Sequence, residues 1–267
     1  MTRVEKRFAE LKAAGEGGLI CFVTAGDPDL ETTLGVVLEL DRAGADIVEI
    51  GIPFSDPIAD GPCIQEASMR ALRHGVNVSS VLELVRSIRT ISEVPITLMT
   101  YYNPIRQYGL VSFARDAADA GADAAIVTDL TPEESGAWKS AADSHGINTV
   151  FLLAPTSTNS RIESVARLVS GFVYCVSRTG VTGAQGRLAE GIGGLVERIR
   201  RHTPLPVAVG FGISKPEHVA EVCSHADAAV VGSALVNLIA NSARKDDLQA
   251  EVGRFVSALK DATRGGR

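Results

Sequence analysis

Eight short β-rich runs, each followed by a helical pattern, predict a (β/α)8 barrel, the TIM barrel, for this 267-residue chain. Two further observations agree. No Pro-, Gly- or Ser-rich linker interrupts the alternation, so one domain over residues 1–267 is expected. The joint Ala43-Gly44-Ala45-Asp46 returns as Ala120-Gly121-Ala122-Asp123 and, more loosely, as Ser224-His225-Ala226-Asp227. Eight units over this length give about 33 residues each, close to the ~30 that a strand, its crossover helix and a return require.

Taken in order, Met1–Gly15 alternates charge with Val4, Phe8 and Leu11 at helical spacing, which predicts an extra N-terminal amphipathic helix and not a signal peptide. The strands are expected at Leu19–Thr24, Asp46–Gly51, Ile96–Tyr101, Ala124–Thr128, Thr149–Leu153, Phe172–Val176, Pro206–Val209 and Ala228–Val231. Gly44 and Gly121 suit the left-handed residue that ends a helix, and the aspartate after each opens the next strand at the end away from any active site. A doubly wound sheet is the alternative architecture, but its glycine fingerprint is missing. Gly210-Phe211-Gly212 runs on to Lys215 without a third glycine, and Gly15-Glu16-Gly17-Gly18 precedes a strand instead of following one.

Composition narrows the function. Hydrophobic residues make up 45% and charged residues 22%, enough for a core without disulfides or structural metals. Lys and Arg total 26 against 32 Asp and Glu, a net charge of −6 with no basic run, so nucleic acid and anionic membrane are poor partners. No apolar stretch approaches the roughly 20 residues of a membrane span. Cys21, Cys63, Cys175 and Cys223 are far apart, which fits a reducing cytoplasm.

In a barrel, chemistry sits on the C-terminal ends of strands and the loops beyond them. The polar residues there are Asp27, Glu49, Asp56, Asp60, Tyr101, Asn103, Asp129 and Tyr174. All six lysines fall in helices or at a helix start, which argues against an imine-forming aldolase. The five histidines read as helical or helix-end residues, so no metal site is offered, and the metal-like spacing of His218, Cys223 and His225 fits a solvated helix end. What remains is acid/base work by carboxylates. Glu49 is out of phase with Val48 and Ile50; pointing into the barrel among apolar neighbours, it would have a pKa raised toward neutrality. On pattern alone it could also be an exposed strand-end residue, and Asp60 fits an Asx turn before Gly61 equally well.

The last third carries a different signal. Thr179–Gly183, Gly210–Ser214 and Gly232-Ser233 are glycine-rich turns after three consecutive strands, and Ser233 opens an apolar helical segment. Glycine lets backbone N–H groups approach a phosphate, and a helix N-terminus favours the anion.

The run Glu49–Gln65, the run Ser177-Arg178-Thr179-Gly180-Val181-Thr182-Gly183, the segment Gly210–Ser214 and the turn Gly232-Ser233-Ala234 resemble, in order and across nearly the whole chain, the tryptophan synthase alpha chain family. The resemblance implies a carbon–carbon lyase of tryptophan biosynthesis that cleaves indole-3-glycerol phosphate to indole and glyceraldehyde 3-phosphate, without Schiff base, metal or organic cofactor. It implies Glu49 and Asp60 as the catalytic pair with Tyr174 in support, Phe22 and Phe211 as walls for the indole, and Gly183, Gly212, Gly232 and Ser233 on the phosphate. It also implies a beta chain partner in an α2β2 heterotetramer. The sequence adds an expected lid, formed by the loops Pro53–Pro62 and Thr179–Leu188, with Thr182 hydrogen-bonded to Asp60 when closed. Another phosphate-binding barrel enzyme and a non-catalytic phosphate-ester-binding subunit are the competing readings.

Overall fold

A computed structural model describes residues 1–176, 185–210, 212–242 and 247–265, with the side chains of 185–191 and 265 left aside. Its elements in chain order are α1 (Arg3–Ala14), β1 (Gly18–Thr24), α2 (Leu30–Arg42), β2 (Ile47–Gly51), α3 (Pro62–Arg73), α4 (Val78–Arg89), β3 (Ile96–Thr100), α5 (Tyr102–Tyr108), α6 (Leu110–Ala120) and β4 (Ala124–Val127). They continue with α7 (Gly136–Ser144), β5 (Asn148–Val150), β6 (Leu152–Leu153), α8 (Asn159–Leu168), β7 (Val173–Val176), α9 (Gln185–Arg200), β8 (Val207–Gly210), α10 (Pro216–Cys223), β9 (Ala228–Val231), α11 (Ser233–Ser242) and α12 (Leu248–Asp261).

The strands form one parallel sheet in the order β5-β4-β3-β2-β1-β9-β8-β7-β6. Its two edge strands are consecutive in the chain, so the sheet curls into a nearly closed barrel, as expected. The fifth expected strand divides into β5 and β6 at buried Phe151, because its first half pairs with β4 and its second half with β7. Alternation along the strands sorts the core. Val48 and Ile50 pack outward against the helices, while Ile20, Ile47, Ile126 and Phe172 fill the barrel. Among the described residues, no helix is long and apolar enough to cross a membrane.

The N-terminal end of the barrel is closed. α1 is capped by Thr2 with Glu5 completing the box, and it buries Val4, Phe8 and Leu11 across the barrel floor, with the Phe8 ring 5.6 Å from that of Phe172. Gly44 and Gly121 are left-handed, at φ 95° and 96°. The three recurring aspartates have a clear role. Asp46, Asp123 and Asp227 accept hydrogen bonds from the backbone N–H of Leu19, Ile96 and Val207, each near the start of a neighbouring strand. Asp46 is buried, and its carboxylate also takes Lys260 Nζ at 2.8 Å and Arg7 Nη2 at 2.6 Å.

Removing one partner of such a buried pair leaves an uncompensated charge. Asp46→Ala, which strands the buried Lys260 ammonium, should therefore lower unfolding free energy by about 3–5 kcal/mol in urea titration. Lys260→Met, which leaves Asp46 with Arg7 and the Leu19 N–H, should lose distinctly less. Equal losses would show that the charge network does not hold this end.

Candidate active site

At the opposite end, the strand C-termini open on a cavity of about 760 Å3. Phe22, Met99 and Tyr174 line its barrel side, Asp60 enters from the β2–α3 connection and Ile64 from the first turn of α3, and residues 128–132 form the rim after β4. Gly210, Gly212, Gly232 and Ser233 make the facing wall. A second cavity of about 600 Å3 lies at the closed end beside α1. There Arg200 is paired with Asp227, whose carboxylate ties down the start of β8, a structural arrangement.

β2 positions Glu49. Its register partners are Phe22 on β1 and Thr97 on β3, its side chain is fully buried, and neither carboxyl oxygen has a hydrogen-bond partner. Burial pushes its pKa up to about 8. The exposed strand-end alternative is thereby removed.

The Pro53–Pro62 connection positions Asp60. The Asp60 N–H donates to Pro57 O at 3.1 Å, Gln65 Nε2 donates to Asp60 O at 3.0 Å, and the Ala59 N–H donates to the Tyr101 hydroxyl at 2.9 Å. Gly61 caps α3 without any side-chain hydrogen bond, so Asp60 is not spent as a cap. Burial raises the Asp60 pKa, and a hydrogen bond with Tyr101 partly opposes that rise. Tyr174 on β7 feels both carboxylates; burial first, then Glu49 and Asp60, hold its hydroxyl in the neutral form.

The glycine wall is built for close approach. Gly212 is left-handed at φ 63°, and a Cβ on Gly210 would fall 2.9 Å from the Tyr174 hydroxyl. Ser233 begins α11 at the cavity, so the N–H groups of its first turn face the space without intrahelical acceptors.

Of the expected site residues, Phe22, Asp60, Tyr174, Gly212, Gly232 and Ser233 line one cavity, with Glu49 buried beside Phe22. Thr182, Gly183 and Phe211 lie outside the described residues, as does most of the expected second lid loop. Its last stretch, from Gln185 to Leu188, is not loop but the first turn of α9, whose apolar spacing continues through Ile192, Leu195 and Ile199. Other polar candidates are engaged elsewhere. Asp27 is clamped by Arg70 at 2.7 and 2.8 Å, Asp56 is exposed beside Ser55, and Asn103 lies in a groove outside the barrel. Sequence reasoning missed Arg161 and Asn237, which also line the cavity. Arg161 sits in the first turn of α8, paired with Glu133 at 2.6 Å, and helical spacing gave no reason to aim it inward.

The chain matches the family model "Tryptophan synthase alpha chain" over residues 8–264. It is 54% identical to the tryptophan synthase alpha chain of Citrifermentans bemidjiense, covering 100% of this chain and 99% of that one. Against the alpha chain of Geobacter sulfurreducens it is 50% identical, covering 98% and 99%. The solved tryptophan synthase subunit alpha of Legionella pneumophila superposes with a TM-score of 0.91 at 39% identity, covering 98% of each chain. A chain of the tryptophan synthase complex from Pyrococcus furiosus superposes at 0.83 with 39% identity, covering 91% and 98%.

The buried carboxyl has a measurable signature. With Glu49 raised from 4.5 to about 8, the folded chain holds that proton more tightly than the unfolded chain does. The resulting stabilisation is complete below pH 4.5 and is lost as pH rises through about 8. Glu49→Gln has no such titration, so its urea midpoint should rise relative to wild type across that window and level off above it. A difference independent of pH would mean that Glu49 is solvated.

Proposed function

The chain belongs to the tryptophan synthase alpha chain family, and on that premise we propose that its cavity cleaves indole-3-glycerol phosphate to indole and glyceraldehyde 3-phosphate by carboxylate acid/base catalysis. The observation that carries this reading is a fully buried, unpartnered Glu49 and a half-buried Asp60 grouped at Tyr174, on a cavity whose far wall is glycine and a helix N-terminus.

The chemistry follows from the charges that develop. Protonated Glu49 delivers its proton to indole C3, and positive charge spreads onto the ring nitrogen, whose N–H is hydrogen-bonded to the Asp60 carboxylate. The Glu49 carboxylate then takes the proton of the side-chain hydroxyl as the bond from C3 to the glycerol carbon breaks. This releases indole and the aldehyde and returns Glu49 to its starting state. The Glu49 carboxyl must turn toward the cavity to act. Phe22 and, by family motif, Phe211 flank the indole, while Gly183, Gly212, Gly232 and Ser233 hold the phosphate, with Thr182 closing on Asp60. The dianion is met by amides and a helix N-terminus, so the acidic net charge is no obstacle.

The reading extends to a cytoplasmic subunit that acts as one barrel domain with a beta chain in an α2β2 assembly. The Pro53–Pro62 loop supports a docking role: Ile58 is 79% exposed there, and Phe54 is braced on Tyr101 with ring centroids 5.1 Å apart. A non-catalytic role in binding a phosphate ester leaves a buried, unpaired Glu49 without purpose.

Indole release, measured with and without beta chain, tests the assignment. Glu49→Gln and Asp60→Asn should each lose at least about 100-fold in kcat while keeping native circular dichroism. Wild-type kcat should fall as pH rises above about 8, where Glu49 loses its proton. Near-normal turnover by folded Glu49→Gln protein would sink the mechanism. For the phosphate, Gly232 is the cleaner probe, because a Cβ there meets only Phe22 at 3.8 Å, whereas any side chain at Gly212 is strained by its φ of 63°. Gly232→Val should weaken glycerol 3-phosphate binding by about tenfold or more in calorimetry. Unchanged affinity would put the phosphate elsewhere.

A further inference from the structure

Thr97 lies in the middle of β3 and is the register partner of Glu49 on β2. Neighbouring strands of a sheet run about 4.8 Å apart, and paired residues present their side chains on the same face, here the barrel interior. Thr97 is fully buried, as Glu49 is, and its hydroxyl, like both Glu49 carboxyl oxygens, has no hydrogen-bond partner. Among the described residues these three atoms and the Thr24 hydroxyl are the whole set of buried, unpartnered side-chain polar atoms. Orphaned polar atoms are expensive in a barrel otherwise filled by Ile, Val and Phe, and two of the groups involved stand side by side.

Resting on the reading of Glu49 as the proton carrier, we propose that Thr97 is a positioning residue: when the Glu49 carboxyl turns toward the cavity, the Thr97 hydroxyl, unpartnered in this structure, hydrogen-bonds one of its oxygens and leaves the other to face the substrate. A threonine hydroxyl suits this task because it both donates and accepts. It accepts from protonated Glu49 and donates to the carboxylate that forms when Glu49 gives its proton to carbon, so the pair stays satisfied through the transfer. The bond to the ionised form is the stronger one. Thr97 thus tempers the effect of burial and makes Glu49 a better acid.

The other titratable groups around Glu49 do not compete for this role. Cys21 on β1 and Tyr174 on β7 are both held neutral, chiefly by burial and secondarily by nearby carboxylates, Glu49 among them. Asp60, from the β2–α3 connection, is the remaining acid; it shares a hydrogen bond with Tyr101 and is assigned to the indole N–H, not to Glu49. β3 brings no titratable side chain to the pair.

The test is the pH profile of kcat for indole release by the complex with beta chain, measured on wild type, Thr97→Val, Thr97→Ser and Glu49→Gln. Valine keeps the volume and removes the hydroxyl; serine keeps the hydroxyl and removes a methyl. Thr97→Val should shift the alkaline limb upward by about half to one pH unit and lower plateau kcat about three- to tenfold, as expected for loss of a hydrogen bond to the anion. KM should stay within about twofold, since Thr97 does not line the cavity. Thr97→Ser should restore the wild-type limb. A Thr97→Val limb that coincides with wild type overturns the proposal, as does a Thr97→Ser limb displaced as far as that of valine, which would mark packing as the cause. Substantial turnover by Glu49→Gln would instead overturn the underlying reading of Glu49, whatever Thr97 does.

Discussion

The tie between an aspartate ahead of one strand and the first free N–H of its neighbour is what the rest of this barrel depends on. A parallel strand can slip along its neighbour, and a slip of one residue turns every side chain to the wrong face. Asp46, Asp123 and Asp227 each pin a neighbouring strand by accepting from Leu19, Ile96 and Val207. Each carboxylate is then neutralised from outside: Asp46 by Lys260 and Arg7, Asp123 by Arg89 and Arg3, and Asp227 by Arg200. The cations come from α12, α1, α4 and α9, so the pins also lash the helical shell to the sheet at the closed end. Beneath α1 the Asp46–Lys260 and Asp123–Arg89 pairs are buried and persist in a low dielectric, whereas the Asp227–Arg200 pair is partly open to solvent.

A closed end that rigid permits an open end that is locally unfavourable. Among the described residues, the buried side-chain polar atoms without partners are at Thr24, Glu49 and Thr97, on three adjacent strands and facing the lumen. An apolar residue at Glu49 would make a quieter core. Keeping a carboxyl there, pushed up to about 8, concentrates unfavourable free energy in the group that, in the proposed mechanism, parts with a proton at neutral pH. Asp60 is treated differently. It hangs on a loop stitched by Gln65 and Tyr101 and remains half-buried, suited to facing a cation instead of carrying a proton.

The division of labour extends to charge. The cavity carries Asp60 and Asp129 among its walls, and Arg161 is drawn off by Glu133. On the proposed reading, a phosphate dianion is therefore met by geometry more than by opposite side-chain charge, through glycine backbone and the first turn of α11. Such a site selects for a small tetrahedral anion at a fixed place and leaves the apolar side of the cavity, at Phe22 and Met99, for a flat ring.

By itself, the sequence determined the barrel and its candidate site residues to the extent that these are local. Strand runs, left-handed glycines at 44 and 121 and the phase of Glu49 against Val48 and Ile50 follow from periods of two and 3.6 residues and from the special freedom of glycine. The helix start at Ser233 was legible for the same reason, as was the left-handed turn at Gly212. Tertiary structure decided what depends on neighbours distant in sequence. Phe151 breaks the fifth strand because β4 and β7 compete for its two halves, and no local pattern records that competition. Asp27, a fair candidate by position, is consumed by Arg70, 43 residues away. Thr97 reads as an ordinary strand residue until register sets it against Glu49, and Arg161 as a surface arginine until the curl of the barrel brings α8 to the rim. Hydrogen-bond satisfaction and carboxyl desolvation are properties of the assembled interior, which periodicity can point toward but only the closed barrel creates.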